Sequence, residues 1–369
     1  MKIGIVTWFR YENYGTVLQA MAMQKFLNKE KQNVEFLNFE LEDGKHTKKK
    51  NKINLLKKLY FKLGGYIYRY NKKKYASDFE RKSLKFRNIV DENCNVSNKI
   101  NTMDEYIKIC NEKDILIFGS DQIWNPNWYH PFYFGNNENI KTKLVAYAPS
   151  FGVSEIKDNK ENIKNAISRF SSIALREETG CKIVENLLQR KTKIVVDPTL
   201  LLNAKEWETL EEKPSIDVNN YILCYMLSDN PNHWKAIKRF AKKNKKQLVV
   251  VPHDGYSYMQ SKYVIRDCSV GNFLYLIKNA DYIVTDSFHG TLFSIIYNKD
   301  FCVFERHNPS DSNAQNSRIY NLLKIAKSKN CLINYNSNKI EKITKNPNYY
   351  KNLEKLINDS KEYLKKAIM

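Results

Sequence analysis

From Lys2 to Phe304, short runs of β-branched and aromatic residues alternate with segments whose apolar residues recur at helical spacing. That alternation restricts the chain to parallel sheets covered by helices. Strands are expected at Lys2–Thr7, Val34–Phe39, Asp114–Phe118, Leu144–Tyr147, Ile173–Leu175 and Ile194–Val196 in the first half. In the second half they are expected at Tyr221–Leu227, Gln247–Val251, Tyr282–Thr285 and Phe301–Phe304. At 369 residues the chain exceeds what one core supports, and the stretch 203–220, with Pro214 and mixed charge, is the best linker. The expected fold class is α/β, two Rossmann-like doubly wound lobes facing a cleft. The first lobe spans 1–203 with a basic helical insertion at about 45–74, the second spans 220–345, and a C-terminal helix covers 346–369.

In such sheets ligands gather outside the carboxyl ends of the strands, so the polar residues that follow each strand are the ones to weigh. After Tyr282–Thr285 comes D-S-F-H-G, Asp286 to Gly290, leading into the helix that Thr291 continues. His289 stands where chemistry is usually done, and the helix start suits an anion. Asp286 or Ser287 capping the helix, with His289 a satisfied polar residue, is the alternative. After Asp114–Phe118 comes G-S-D-Q-I-W-N, Gly119 to Asn125, in which Ser120, Asp121 and Gln122 face a site or close a capped turn with Trp124 in the core. Asn13, Tyr14 and Gly15 follow the first strand in a loop too loose for a glycine-rich phosphate fingerprint. Arg176 ends another strand, able to fork onto a carboxylate or phosphate, or to pair at the surface with Glu177 or Glu178.

A formal net charge of +21 asks for an anionic partner: nucleic acid, an anionic membrane surface, or a phosphorylated substrate. Lys45 to Lys74 holds twelve Lys and Arg and no carboxylate. Leu56, Leu59, Tyr60, Leu63, Ile67 and Tyr70 recur among Lys57, Lys58 and Lys62, the pattern of a basic amphipathic helix. It either docks on its own domain or meets a membrane surface. Seven scattered cysteines without a C-x-x-C pair suit a reducing compartment, and no His/Asp/Glu cluster has metal-ligand spacing, so no metal is expected. Met1 opens directly into a strand and no stretch is apolar enough to span a bilayer. The expected location is therefore cytoplasmic, with the inner face of the plasma membrane as the surface the basic segment could meet.

Four segments stand in a recognisable order: N-Y-G-T-V-L-Q-A from Asn13, G-S-D-Q-I-W-N from Gly119, L-R-E from Leu175 with D-P-T-L from Asp197, and A-D-Y-I-V-T-D-S-F-H-G-T from Ala280. Together they resemble the polysaccharide pyruvyl transferase family, from residue 3 to about Leu323. The resemblance implies a GT-B-like fold and transfer of a pyruvyl group from phosphoenolpyruvate, with no other cofactor, onto two hydroxyls of one sugar as a cyclic ketal. It implies His289 as the catalytic residue and Arg176, Ser287, Phe288, Gly290 and Thr291 as donor-binding. Ser287 stands where some characterised relatives carry a basic residue. Asn13, Tyr14, Gly15, Ser120, Asp121, Gln122 and Asp286 are the expected acceptor or cleft residues. The glycan acceptor is unnamed, with a lipid-linked glycan among the candidates, and no oligomeric state follows. A GT-B nucleotide-sugar glycosyltransferase is the alternative. Nucleic acid is not an expected partner, because the basic residues gather in an amphipathic insertion and not around a nucleic-acid module.

Overall fold

In the computed structural model, residues 1–39, 55–311, 315–341 and 348–369 are described, so the first part of the basic insertion, 45–54, lies outside the described residues. The strands are β1 (Lys2–Val6), β2 (Asn33–Phe36), β3 (Ile115–Phe118), β4 (Lys143–Tyr147), β5 (Ser172–Leu175), β6 (Lys193–Ile194), β7 (Tyr221–Tyr225), β8 (Gln247–Val250), β9 (Tyr263–Val264), β10 (Tyr282–Thr285), β11 (Phe301–Phe304) and β12 (Leu332–Ile333). The helices are α1 (Tyr14–Lys29), α2 (Leu55–Lys74), α3 (Ala76–Asn93), α4 (Met103–Asn111), α5 (Lys160–Ser168), α6 (Glu178–Leu188), α7 (Ala204–Glu208), α8 (Pro231–Lys243), α9 (Val270–Asn279), α10 (Phe288–Ile296), α11 (Ser317–Ile325) and α12 (Tyr349–Ile368).

They build two compact units, each around one six-stranded parallel sheet, in the orders β2-β1-β3-β4-β5-β6 and β12-β11-β10-β7-β8-β9. Helices on both faces explain why the central strands are apolar at every position: Ile115-Leu-Ile-Phe in β3 and Phe301-Cys-Val-Phe in β11 are buried throughout. Trp124, Phe134, Phe151 and Phe170 fill the first core, with Trp124 stacked 5.9 Å from Phe134. In the second, Trp234, Phe240, Val284 and Phe304 pack together.

Strand order reverses once in each sheet. The chain returns from β2 to lay β3 against β1, and from β9 to lay β10 against β7. The two reversals open the crevices where open α/β sheets bind ligands. The loops they expose are the Asn13 and Gly119–Gln122 loops in unit 1 and the D-S-F-H-G loop in unit 2.

The basic segment was expected within the first lobe. Instead its described part, through Arg87, belongs to unit 2 with residues 203–352, while Leu353–Met369 of the last helix joins unit 1. The cause is local packing. α2 crosses the Gly255–Tyr256 loop at Gly64, so closely that a Cβ on Gly255 would overlap the Gly64 carbonyl oxygen. Tyr68 then packs edge-on against Phe79 and Tyr258 at 5.8 and 6.2 Å. At the other end of the chain, Ser360 of α12 accepts the Val196 N–H at 2.9 Å, and Lys365 pairs with Glu30 at 3.1 Å.

Candidate functional site

In unit 1 the polar residues after β1, β3 and β5 interlock. Asn13 caps α1 by accepting the Thr16 N–H at 3.2 Å, and the Thr16 hydroxyl donates to Asp121 at 2.7 Å. Asp121 takes a left-handed backbone (φ 61°) and also accepts the Gln122 N–H. Gln19 of α1 donates to the Trp8 carbonyl and accepts the Ser120 N–H at 3.2 Å. Thus α1 is keyed to both strands at the reversal. Tyr14 and Gly15 are buried in its first turn. Trp124 is fully buried, its indole N–H donating to the Tyr133 carbonyl, so it is a core residue.

Arg176 is not at the surface beside Glu177 or Glu178. Its side chain is 1% exposed and Nη1 donates to Asp197 at 2.7 Å, with Asp121 at 3.6 Å and the Ser120 hydroxyl at 3.4 Å. Burial opposes its charge, but Asp197, Asp121 and Glu177 more than compensate, so its pKa rises above the ordinary arginine value. Asp197 also accepts from the N–H and hydroxyl of Thr199, while Glu177 accepts from Ser150 at 2.7 Å. Arg176, Ser120 and Asp121 are therefore brought together on Asp197, which the motifs named only as the start of D-P-T-L.

In unit 2 the loops after β7 and β10 are stitched by Asp286, which is buried and accepts the N–H groups of Leu227 and Ser228 at 2.6 and 2.9 Å. It holds the mouth of the reversal. Thr285 donates to the Tyr225 carbonyl and accepts the Ser287 N–H, setting the turn that follows. Ser287 then caps α10, accepting the Gly290 N–H at 3.3 Å. The Thr291 N–H goes to the Ser287 carbonyl at 2.9 Å. The main-chain N–H groups of Gly290 and Thr291, expected to hold a donor phosphate, are thus used within the helix start. His289 sits in the first turn, 8% exposed, with its ring edge-on to Phe288 at 5.2 Å. The Arg318 guanidinium lies 5.8 Å from the centre of the Phe288 ring.

The same strand edge carries residues that the motifs did not flag. His253 and Asp254 follow β8, Asp229 follows β7, and Arg306 and His307 follow β11. Their signal was positional: each lies two to four residues past a strand's carboxyl end, as P-H-D-G does after β8. Desolvation, then Arg306 and Lys82, lower the His253 imidazole to about 4, although the residue as a whole is exposed. Burial raises the Asp254 carboxyl to about 6. Burial and Arg306 lower His307 as well. We expect the His253 ring signals in NMR to titrate below about pH 5 and to vanish in His253→Gln, whereas a midpoint near 6.5 would mean that the ring is hydrated. A base lowered on folding contributes stability above its unfolded pKa of 6.5. That contribution fades as pH falls toward about 4.

A cavity of about 850 Å³ lies elsewhere, between β6 and α12 in unit 1, and none of the residues above line it. Among the described residues no group of three or more His, Cys, Asp or Glu side chains could hold a metal ion, and no helix is long and apolar enough to cross a membrane.

Comparison with known proteins adds a family. The family model described as polysaccharide pyruvyl transferase matches residues 13–308. No curated protein matches the chain. Among solved structures, a putative UDP-N-acetylglucosamine 2-epimerase from Listeria monocytogenes superposes with a TM-score of 0.50 at 11% identity, covering 100% of this chain and 90% of that one. MurG from Acinetobacter baumannii gives a TM-score of 0.44 at 9% identity over 99% and 94% of the two chains. The heptosyltransferase WaaC of E. coli, bound to ADP, gives 0.40 at 9% over 88% and 97%. The two Rossmann-like units are those of a GT-B-like fold.

Proposed function

The chain belongs to the polysaccharide pyruvyl transferase family, and from that premise we propose that it transfers the pyruvyl group of phosphoenolpyruvate to one sugar of a cell-surface glycan or its lipid-linked precursor. C2 of the donor gains two bonds to sugar oxygens and loses its bond to the phosphate oxygen. One hydroxyl proton goes to the methylene carbon, which becomes the ketal methyl, and the other leaves with phosphate. The product is a cyclic ketal.

The observation that carries this reading is His289 in the first turn of α10, at the reversal between β7 and β10. An imidazole is suited to moving those protons near neutral pH, and such a group typically contributes about 10²–10⁴-fold. Asp286 is committed to the loop after β7, so its role is to hold the site's shape. Ser287 caps the helix and brings no positive charge to the donor. In our reading Arg306, at the end of the adjacent β11, supplies that charge, assisted by the positive end of the α10 dipole. Arg176, whose side chain is 1% exposed against Asp197 in unit 1, is given no part in holding the donor.

The test is phosphate release on mixing the protein with phosphoenolpyruvate and a panel of lipid-linked and nitrophenyl glycosides. Release that depends on a glycoside, with a ketal methyl signal in the product, is expected. Consumption of a nucleotide sugar in place of phosphoenolpyruvate would overturn the proposal in favour of glycosyl transfer.

A further inference from the structure

α2 has two unlike faces. Toward the rest of unit 2 it presents Gly64, received by Tyr256, and Tyr68, received by the rings of Phe79 and Tyr258, with Asn71 buried on the same side. At about 100° per residue the opposite side carries Leu59, Leu63, Tyr66 and Tyr70 within roughly 60° of one another. These four are 66%, 53%, 64% and 64% exposed, an apolar stripe left open by a helix that is already docked. Scattered exposed apolar residues need no explanation, but a contiguous stripe does.

Cations frame the stripe. Lys62, Arg69 and Lys73 run along one border and Lys74 along the other, all exposed. Arg69 lies 4.7 Å over the Tyr66 ring and Lys74 5.7 Å over Tyr70, so the charges rise alongside the rings. Over its whole length α2 has seven Lys and Arg and no Asp or Glu.

We propose that this face of α2 docks the protein on an anionic membrane surface, with Leu59 and Leu63 entering the acyl boundary, Tyr66 and Tyr70 at headgroup level, and the flanking cations on lipid phosphates. The composition favours this occupant over others. A second copy would set the four cations that border one stripe against the same four of the other, in a chain already at +21. Nucleic acid would use the tyrosines and lysines but leave the two leucines in water. A lipid interface accepts leucine, tyrosine and cation on one helix face at different depths. The proposal rests on α2 alone and stands or falls separately from pyruvyl transfer.

The experiment mixes the full chain, without donor or acceptor, with vesicles of phosphatidylglycerol and phosphatidylcholine, or of phosphatidylcholine alone, and measures co-sedimentation. Binding to the anionic vesicles that weakens with salt is expected. Lys62→Gln with Arg69→Gln and Lys73→Gln should weaken it roughly tenfold or more, since each engaged cation matters at such a surface. Leu59→Ser with Leu63→Ser should do likewise at unchanged charge. All five side chains are exposed, so these variants keep the fold. Separately, Leu63→Trp should shift its emission to the blue with the anionic vesicles only. Equal recovery on both vesicle types, or binding that ignores the leucine pair, would overturn the proposal. So would a dimer that Leu63→Ser dissociates, or an oligonucleotide held by these residues while vesicles are not.

Discussion

A folded His289→Ala variant is expected to release phosphate from phosphoenolpyruvate at least about 10²-fold more slowly than the parent protein. The structure separates this effect from a folding defect. The start of α10 is held by Ser287, whose hydroxyl accepts the Gly290 N–H, and by Thr285, which accepts the Ser287 N–H. Neither bond involves the His289 ring, and alanine is the better helix former. The imidazole packs edge-on to Phe288, so its removal costs some buried contact but leaves the turn intact. His289→Gln sharpens the test, because glutamine keeps a polar side chain of similar reach and cannot carry a proton between substrate atoms. Both variants should be slow while melting close to the parent. Turnover near the parent's in either one would take His289 out of the chemistry. Asp286→Asn should behave differently, loosening the loop after β7, since Asp286 accepts two main-chain N–H groups there.

The strands that carry these loops were legible because they are buried on both faces. β3, β7 and β11 are apolar at every position, and the residues that follow them stand out as the first polar ones. Edge strands β9 and β12 are two residues long, too short for any period to show. α6 was not legible: Gly180 in its first turn lets the helix pack tightly on Leu175 but contributes nothing to an apolar count. The basic helix was left with two readings, docked on its own domain or set against a membrane surface, and the pattern could not choose: Leu59, Leu63 and Tyr70 of the stripe are exposed, while the docked contact is made by Gly64, a residue with no side chain to read. In the candidate site, clusters next to one strand in sequence were readable. Partnerships between strands were not, since Arg176 with Asp197 and Asp286 with Leu227 depend on sheet order.

The Arg176–Asp197 pair gives the second large expectation, which is one of stability. Both side chains are excluded from water, at 1% and 0% exposure. Removing one partner leaves the other charge buried, a loss of about 3–5 kcal/mol where such pairs have been broken. Arg176→Met and Asp197→Leu should each destabilise by that order in urea unfolding, and the double variant should recover much of the loss, because two apolar groups leave no uncompensated charge. Ser120 and Thr199, which also contact Asp197, set how complete the recovery is. Arg176→Lys is the milder change: an ammonium can keep one contact to Asp197 but cannot reproduce the planar guanidinium's further approach to Ser120 and Asp121, so stability should fall less than in Arg176→Met. Single substitutions costing under about 1 kcal/mol would instead place the pair in water, where exposed ion pairs contribute that little.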